Sequence, residues 1–351
     1  MASKRRIRWT GFFLISSSAL LVISLLILFQ LYRKVIASNI LLPENETFYL
    51  FIPTGSGIGE VRDLLVESGV IRNMDTFDWV AERKNYPNHV RPGRYRVRSG
   101  MNNNNLVNML RSGAQEPVQL IFNSVRTLEE LCGIVAEQIE ADSLEILNQL
   151  RNESYISQFG FNQYTLMGMF IPNTYEVYWN SSADQFIQRM DREYRRFWTE
   201  ERKRKAEMLG LTTHEVSTLA SIIDEETNKD DEKPIIAGVY LNRLTRRIPL
   251  QACPTLRFAT GDYTIRRVLL EHMEIVSPFN TYKYRGLPPG PINIPSIAGI
   301  DAVLNAEKHN YYYFSAKEDM SGYHYFSKTL AEHNRRARLY QEVLDVQRVY
   351  K

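Results

Sequence analysis

The run Leu219-Ala-Ser-Ile-Ile-Asp-Glu-Glu226 ends an apolar stretch with three consecutive acids, and its spacing gives those acids different surroundings. On a helical repeat Leu219, Ile222, Ile223 and Glu226 share one stripe at i, i+3, i+4 and i+7, while Asp224 and Glu225 turn away from it. A carboxyl group held among aliphatic side chains is disfavoured in its charged form, so Glu226 is expected to keep a proton near neutral pH. That is the requirement for a general acid. The plainer alternative is a solvated acidic corner, residues 224–232, in which Glu226 frays from a helix end.

Cleavage of a glycosidic bond ordinarily takes two carboxyl groups, one acid and one base or nucleophile. Asp224 lies more than half a turn from Glu226 on the same helix, so this pair cannot straddle a bond. Either a second carboxylate comes from elsewhere, Glu176 being a candidate, or one is enough. One is enough where the substrate brings its own nucleophile. Attack by the C6 hydroxyl of MurNAc on its own C1 in a MurNAc–GlcNAc bond is such a reaction, and it leaves a 1,6-anhydro ring.

The elements that must position Glu226 are legible on either side of it. Thr212-Thr-His-Glu215 is a capping box that starts the Glu226 helix with Val216 and Leu219 on its buried side. Asp230, Asp231, Glu232 and Pro234 mark the next helix N-terminus, and Arg243, Arg246 and Arg247 complement its C-terminal end. Gly286-Leu-Pro-Pro-Gly290 predicts a stiff loop, and Ser296 caps a helix to about Lys308. Residues 311–315 and 323–327 read as a hairpin, and a last helix runs from about Thr329 to Tyr350. Upstream, Val118–Phe122 reads as a strand and Thr127 with Glu130 as a second capping box opening helices to about Arg151. An aromatic extended segment follows at 170–179, then a charged helix over 184–208. Strands and helices intermingle without a βαβ rhythm, which predicts an α+β fold.

Residues 47–115 form a separate small pattern: a strand at 48–52, helices through Val61 to Leu65 and Met74–Arg83, a strand at 93–97, and a helix opened by Asn102 to Asn105. This is a βααβ unit of binding-module size. Ahead of it, Trp9 to Tyr32 carries no charge and is long enough to span a bilayer. Lys4, Arg5, Arg6 and Arg8 precede the span and only Arg33 and Lys34 follow, so the positive-inside rule keeps the N-terminus in the cytoplasm. Val35-Ile36-Ala37 is a poor cleavage site, which favours a retained anchor over a signal peptide. The expected organisation is a cytoplasmic tail (1–10), a transmembrane helix (11–32), a linker (33–46), the small subdomain (47–115) and a catalytic domain (116–351). The chain is then a single-pass protein of the cytoplasmic membrane with its C-terminal part outside.

The formal charge of +3 includes six basic residues in the first 34, so the remainder carries −3. That balance implies no nucleic-acid surface. Cys132 and Cys253 are far apart and lack metal-ligand spacing; no metal site is expected, and two buried free thiols are.

Taken together, Ala220-Ser-Ile-Ile-Asp-Glu-Glu-Thr227, Tyr240-Leu-Asn-Arg-Leu244, Leu250-Gln-Ala-Cys-Pro-Thr255, Phe279-Asn-Thr-Tyr282, Gly286-Leu-Pro-Pro-Gly290, Tyr313-Phe314, His324-Tyr-Phe326 and His333-Asn334 resemble the successive blocks of the MltG/YceG family. Its members are membrane-anchored endolytic murein transglycosylases. The resemblance implies that the second acid of a Glu-x-Glu-Thr block, here Glu226, is catalytic, and that the small unit is LysM-like. It also implies peptidoglycan glycan strands as substrate, cell-wall synthases such as penicillin-binding proteins as candidate partners, and no cofactor. The chain departs from the pattern at Asp224, often Glu, and at Cys253, commonly Asp.

Around that centre, Asn280, Thr281 and Tyr282 are candidates to bind sugar. Pro288 and Pro289 would hold an extended backbone that Gly286 and Gly290 let a sugar approach, although the same stretch also reads as an ordinary rigid loop. Gln251, Asn242, Arg243 and Asp224 are further candidates, and His324 either packs within its hairpin or lines the cleft. Two rival functions stand beside the transglycosylase: a muramidase that uses water and a second carboxylate, and a non-catalytic wall-binding scaffold.

Overall fold

In a computed structural model, residues 2–265 and 269–346 are described, and they divide into two units. The first comprises the chain up to Val118 with Glu176–Asn180, the second Gln119–Tyr175 with Ser181 onward.

The first unit opens with α1 (Ala2–Val35), whose Ser16–Val35 portion is long and apolar enough to cross a membrane and is not buried by other protein. Its last turn meets the small subdomain, where the Asn103 amide donates to the Lys34 carbonyl and the Lys34 ammonium sits over the Trp79 ring. Within the 33–46 segment, Ile40 is buried and bridges Ile71. The βααβ order then appears as β1 (Thr47–Ile52), α2 (Ile58–Glu67), α3 (Met74–Arg83) and β2 (Gly93–Arg98), followed by α4 (Asn103–Ser112). The two strands pair antiparallel, Thr47 facing Arg98 and Ile52 facing Gly93. Period-two alternation turns Leu50, Ile52, Tyr95 and Val97 onto Val61, Leu65, Phe77, Leu106 and Leu110 and leaves Arg94 and Arg96 on the opposite side.

The second unit runs through β3 (Val118–Phe122), α5 (Leu128–Ala136), α6 (Ser143–Arg151), α7 (Glu153–Ile156), β4 (Asn173–Val177), α8 (Ala183–Phe197), α9 (Glu200–Met208), α10 (Thr213–Glu226), α11 (Lys233–Thr245), α12 (Cys253–Thr260), α13 (Leu270–Met273), α14 (Ile297–Leu304), β5 (Tyr313–Ala316), β6 (His324–Ser327) and α15 (Leu330–Val346). β3 pairs with β4, and β5 with β6 in an antiparallel hairpin. Helices dominate and the strands form separate two-stranded ribbons, an α+β arrangement.

Three local readings are refined by the structure. Thr127 caps α5, but Glu130 accepts from the Arg126 amide rather than closing a reciprocal box on Thr127. The charged helix expected over 184–208 is two helices, because Trp198 turns into the core at 2% exposure and Thr199 caps a new start. The Ser296-capped helix ends at Leu304, short of Lys308. The continuation of the last helix to Tyr350 lies outside the described residues.

The centre of the unit is α10. Every residue from Val216 to Ile223 is buried, packed against Ile236, Ala237, Tyr240, Leu250, Ile300 and Val303. The helix is therefore clad over this stretch, and after Glu215 of its first turn its acids come only in its last turn.

Candidate active site

The Thr212 capping box forms as the sequence predicts, with Thr212 accepting from the Glu215 amide and Glu215 from the Thr212 amide. Fourteen residues later α10 stops at Glu226, with Thr227 as its C-cap. Leu219, Ile222 and Ile223 are fully buried, and Glu226 continues their stripe to the floor of a cleft of about 540 Å³. The cleft is lined by Glu226, Tyr240, Gln251, Cys253, Arg257, Tyr282 and His324, among others.

Burial is the main cause that pushes the Glu226 carboxyl above its ordinary value, and the neighbouring Glu225 charge adds to it. A position at the negative end of the helix dipole acts in the same sense. Opposing these, the Tyr240 hydroxyl donates to Oε1 over 2.6 Å, and His324 and Arg257 favour the charged form. The net direction is upward. The arrangement is one that suits a proton donor: Tyr240 holds Oε1, and no hydrogen bond from the described residues reaches Oε2.

Its neighbours on the helix face elsewhere. Glu225 accepts from Arg126 at 3.2 and 3.3 Å and from the Asn293 amide. Asp224 is nearly buried, with side-chain exposure of 9%. It accepts from the backbone N–H and hydroxyl of Ser296, each at 2.7 Å, and pairs with Lys233 at 2.9 Å. Both Asp224 oxygens thus anchor the N-terminus of α14 and the start of α11. Among the described residues lining the cleft, the carboxylates are Glu225 and Glu226 alone; Glu176, on β4, does not line it.

Of the predicted binding residues, the cleft gathers Arg243, Gln251, Tyr282 and His324. His324 does both things considered for it: it lines the cleft and sits in the hairpin, its Nδ1 2.9 Å from Glu232. Asn280 and Thr281 are buried beneath the cleft. Asn280 donates to the Met273 and Ile275 carbonyls and accepts from the Tyr282 amide, while the Thr281 hydroxyl accepts from the Ala252 amide. They position Tyr282 and the Gln251–Cys253 segment. Asn242 donates to the His309 and Tyr311 carbonyls, tying α11 to the chain before β5. Arg243, in the last turn of α11, donates to Gln251 and to the Tyr312 carbonyl.

The proline loop is shaped by packing. Gly286 has φ +90°, a turn conformation that suits glycine, and Pro288 is buried. At Gly290 a Cβ would lie 1.9 Å from the Tyr164 carbonyl oxygen, so the close approach there is to protein backbone. Neither Gly286 nor Pro288 lines the cleft.

Both cysteines are free; Cys132 is buried as expected, but Cys253 is exposed at the cleft, because the start of α12 turns its side chain toward Tyr282, 3.1 Å away. Among the described residues no three His, Cys, Asp or Glu side chains gather as a metal-ligand set. Sequence reasoning missed Tyr240 and Arg257 as site residues. Tyr240 stands at the head of its Tyr-Leu-Asn-Arg block, a signal that could have found it; nothing in the local pattern marks which way Arg257 faces.

The model of the YceG-like family matches residues 50–339, which contain the whole of this cleft apart from Tyr340. The chain belongs to that family. Among YceG-like relatives, an endolytic murein transglycosylase of Bacillus subtilis is 29% identical over 87% of this chain and 88% of its own length. One of Streptococcus pneumoniae is 28% identical over 87% of this chain and 60% of its own. The crystal structure of a YceG-like protein from Listeria monocytogenes aligns with a TM-score of 0.54 and 27% identity, covering 83% of this chain and 99% of that one.

Proposed function

We propose that this protein is an endolytic peptidoglycan lytic transglycosylase that cleaves MurNAc–GlcNAc bonds within nascent glycan strands, with Glu226 as its general acid and base. The observation that carries the reading is the Glu226 carboxyl itself: partly buried, raised in proton affinity, and accompanied in its cleft, among the described residues, by no carboxylate other than the Arg126-paired Glu225. The names of the Bacillus and Streptococcus relatives support the same activity.

In the reaction, the proton on Oε2 of Glu226 passes to the glycosidic oxygen as the C1–O bond breaks and the GlcNAc O4 leaves as a hydroxyl. The resulting carboxylate, held by Tyr240, takes the proton of the MurNAc C6 hydroxyl as O6 bonds to C1. Glu226 ends protonated, no water is consumed, and the product carries a 1,6-anhydro-MurNAc end. Tyr282 supplies a stacking face and Gln251, Arg257 and His324 supply polar contacts along the strand.

The N-terminal apolar helix fits an anchor in the cytoplasmic membrane with the βααβ subdomain and the second unit outside, close to nascent strands and the synthases that make them. The βααβ unit would then serve as a LysM-like spacer or wall-binding module.

Mass spectrometry of products from uncrosslinked strands tests the reading. Ends lighter than reducing MurNAc by one water are expected; mainly reducing ends would indicate a muramidase, and tight binding without cleavage a scaffold.

A further inference from the structure

A second hollow of about 410 Å³ adjoins the Glu226 cleft and shares Glu225 with it. It lies between the Ser124–Arg126 loop, the start of α5, the end of α10 and the Asn293–Ser296 segment. Its character differs from that of a sugar platform: Arg126, Glu130, Lys233, Asn228 and Asn293 line it, and no aromatic ring does. Asn293 is 3% exposed; its amide N–H donates to Glu225, while its carbonyl oxygen has no partner. A buried acceptor left unmet is costly and points to a donor supplied from outside. Arg126 brings a guanidinium that accepts a second carboxylate readily, being partly exposed at 47%.

We propose that this hollow binds the peptide borne by MurNAc, its amide N–H meeting Asn293 and its carboxylate meeting Arg126. This rests on the glycan-strand reading above. A murein strand carries, beside its sugars, a lactyl-linked peptide whose backbone is a run of amides and which also bears free carboxylates, at its C-terminus among other places. A strand lying over Glu226 projects such a peptide away from the glycan axis, and the polar hollow beside Glu225 offers it both a guanidinium and an unmet buried acceptor. The site would favour strands whose peptides are intact, as they are soon after synthesis.

The test is a binding titration with the full-length chain carrying Glu226→Gln, which halts turnover. Uncrosslinked strands with intact peptides are compared with the same strands stripped by an amidase. Peptide-bearing strands are expected to bind about tenfold more tightly. Adding Asn293→Leu or Arg126→Gln is expected to erase that difference and leave binding of stripped strands unchanged. Two substitutions are used because a buried Asn293→Leu could unfold the unit, whereas Arg126 is partly exposed. Equal binding of both strand types by the parent overturns the proposal, as does an equal loss for both types in the variants. Product analysis with unsubstituted protein reports on the activity separately: cleavage without peptide preference removes this site and keeps the activity, and peptide preference without cleavage does the reverse.

Discussion

The phenol of Tyr240 donates a 2.6 Å hydrogen bond to Oε1 of Glu226, from a side chain that is 1% exposed. The two carboxyl oxygens are thereby made unequal: one is held by α11 and the other faces the cleft. The bond favours the charged form against a burial cost that favours the neutral one. It is strongest when Glu226 is ionised, the state in which the proposed mechanism calls for the anion to be stabilised.

Replacing Tyr240 by Phe removes the bond and keeps the ring that packs edge-on against Phe314. Loss of a contact that lowers the Glu226 pKa moves that pKa further up. A reaction requiring protonated Glu226 fades as pH rises through its pKa, so the basic limb of kcat against pH should shift to higher pH while maximal kcat falls. A lower kcat with an unmoved limb would mean that Tyr240 only fills space.

Glu226→Gln should retain the fold by circular dichroism and lose at least ~10²–10⁴ in kcat, the usual worth of general acid–base help. Stability offers a second reading. The folded-state pKa of Glu226 lies above the ordinary value of 4.5. Its contribution is complete below the unfolded value and is lost as pH rises through the folded one. The variant lacks this titration, so its denaturation midpoint should gain on the parent's as pH rises above the ordinary value of 4.5. A gap independent of pH would contradict the raised pKa.

Asp224 should behave as a structural residue. Truncating it to Ala leaves Lys233, itself 9% exposed, without its buried partner and strips the α14 N-terminus of its acceptor. A loss of about 3–5 kcal/mol in unfolding free energy is expected from breaking such a pair, with Asp224→Asn losing less. KM for glycan strands, measured well below the melting temperature, should stay near the parent's. A large rise in KM with unchanged stability would put Asp224 in contact with substrate.

The membrane arrangement is open to a direct check. A reporter fused after Lys351 should be active only when assayed outside the cytoplasm, given the skew of basic residues toward the N-terminal flank of the apolar helix. Cytoplasmic activity of the fusion would remove both the anchor orientation and access to the wall.

The stripe Leu219, Ile222, Ile223, Glu226 was legible because a helix repeats along its own sequence, and a capping box that starts at Thr212, ahead of Leu219, set its phase. The apolar N-terminal span, the βααβ order and the β5–β6 hairpin were legible for the same reason: period and turn chemistry are local. What periodicity cannot report is what another element brings to a face. Asp224 meets Ser296 across 72 positions, Asn242 meets Tyr311 across 69, and Glu226 meets a tyrosine on a different helix. Asn280 and Thr281 turned inward because buried loop carbonyls and amides needed partners there, a demand set by packing. The sequence by itself determined which carboxyl group would be driven toward its neutral form. Only the tertiary structure decided which oxygen of it is held, that Asp224 serves α14, and that Cys253 and Arg257 share its cleft, because those follow from contacts between segments whose mutual placement no local pattern encodes.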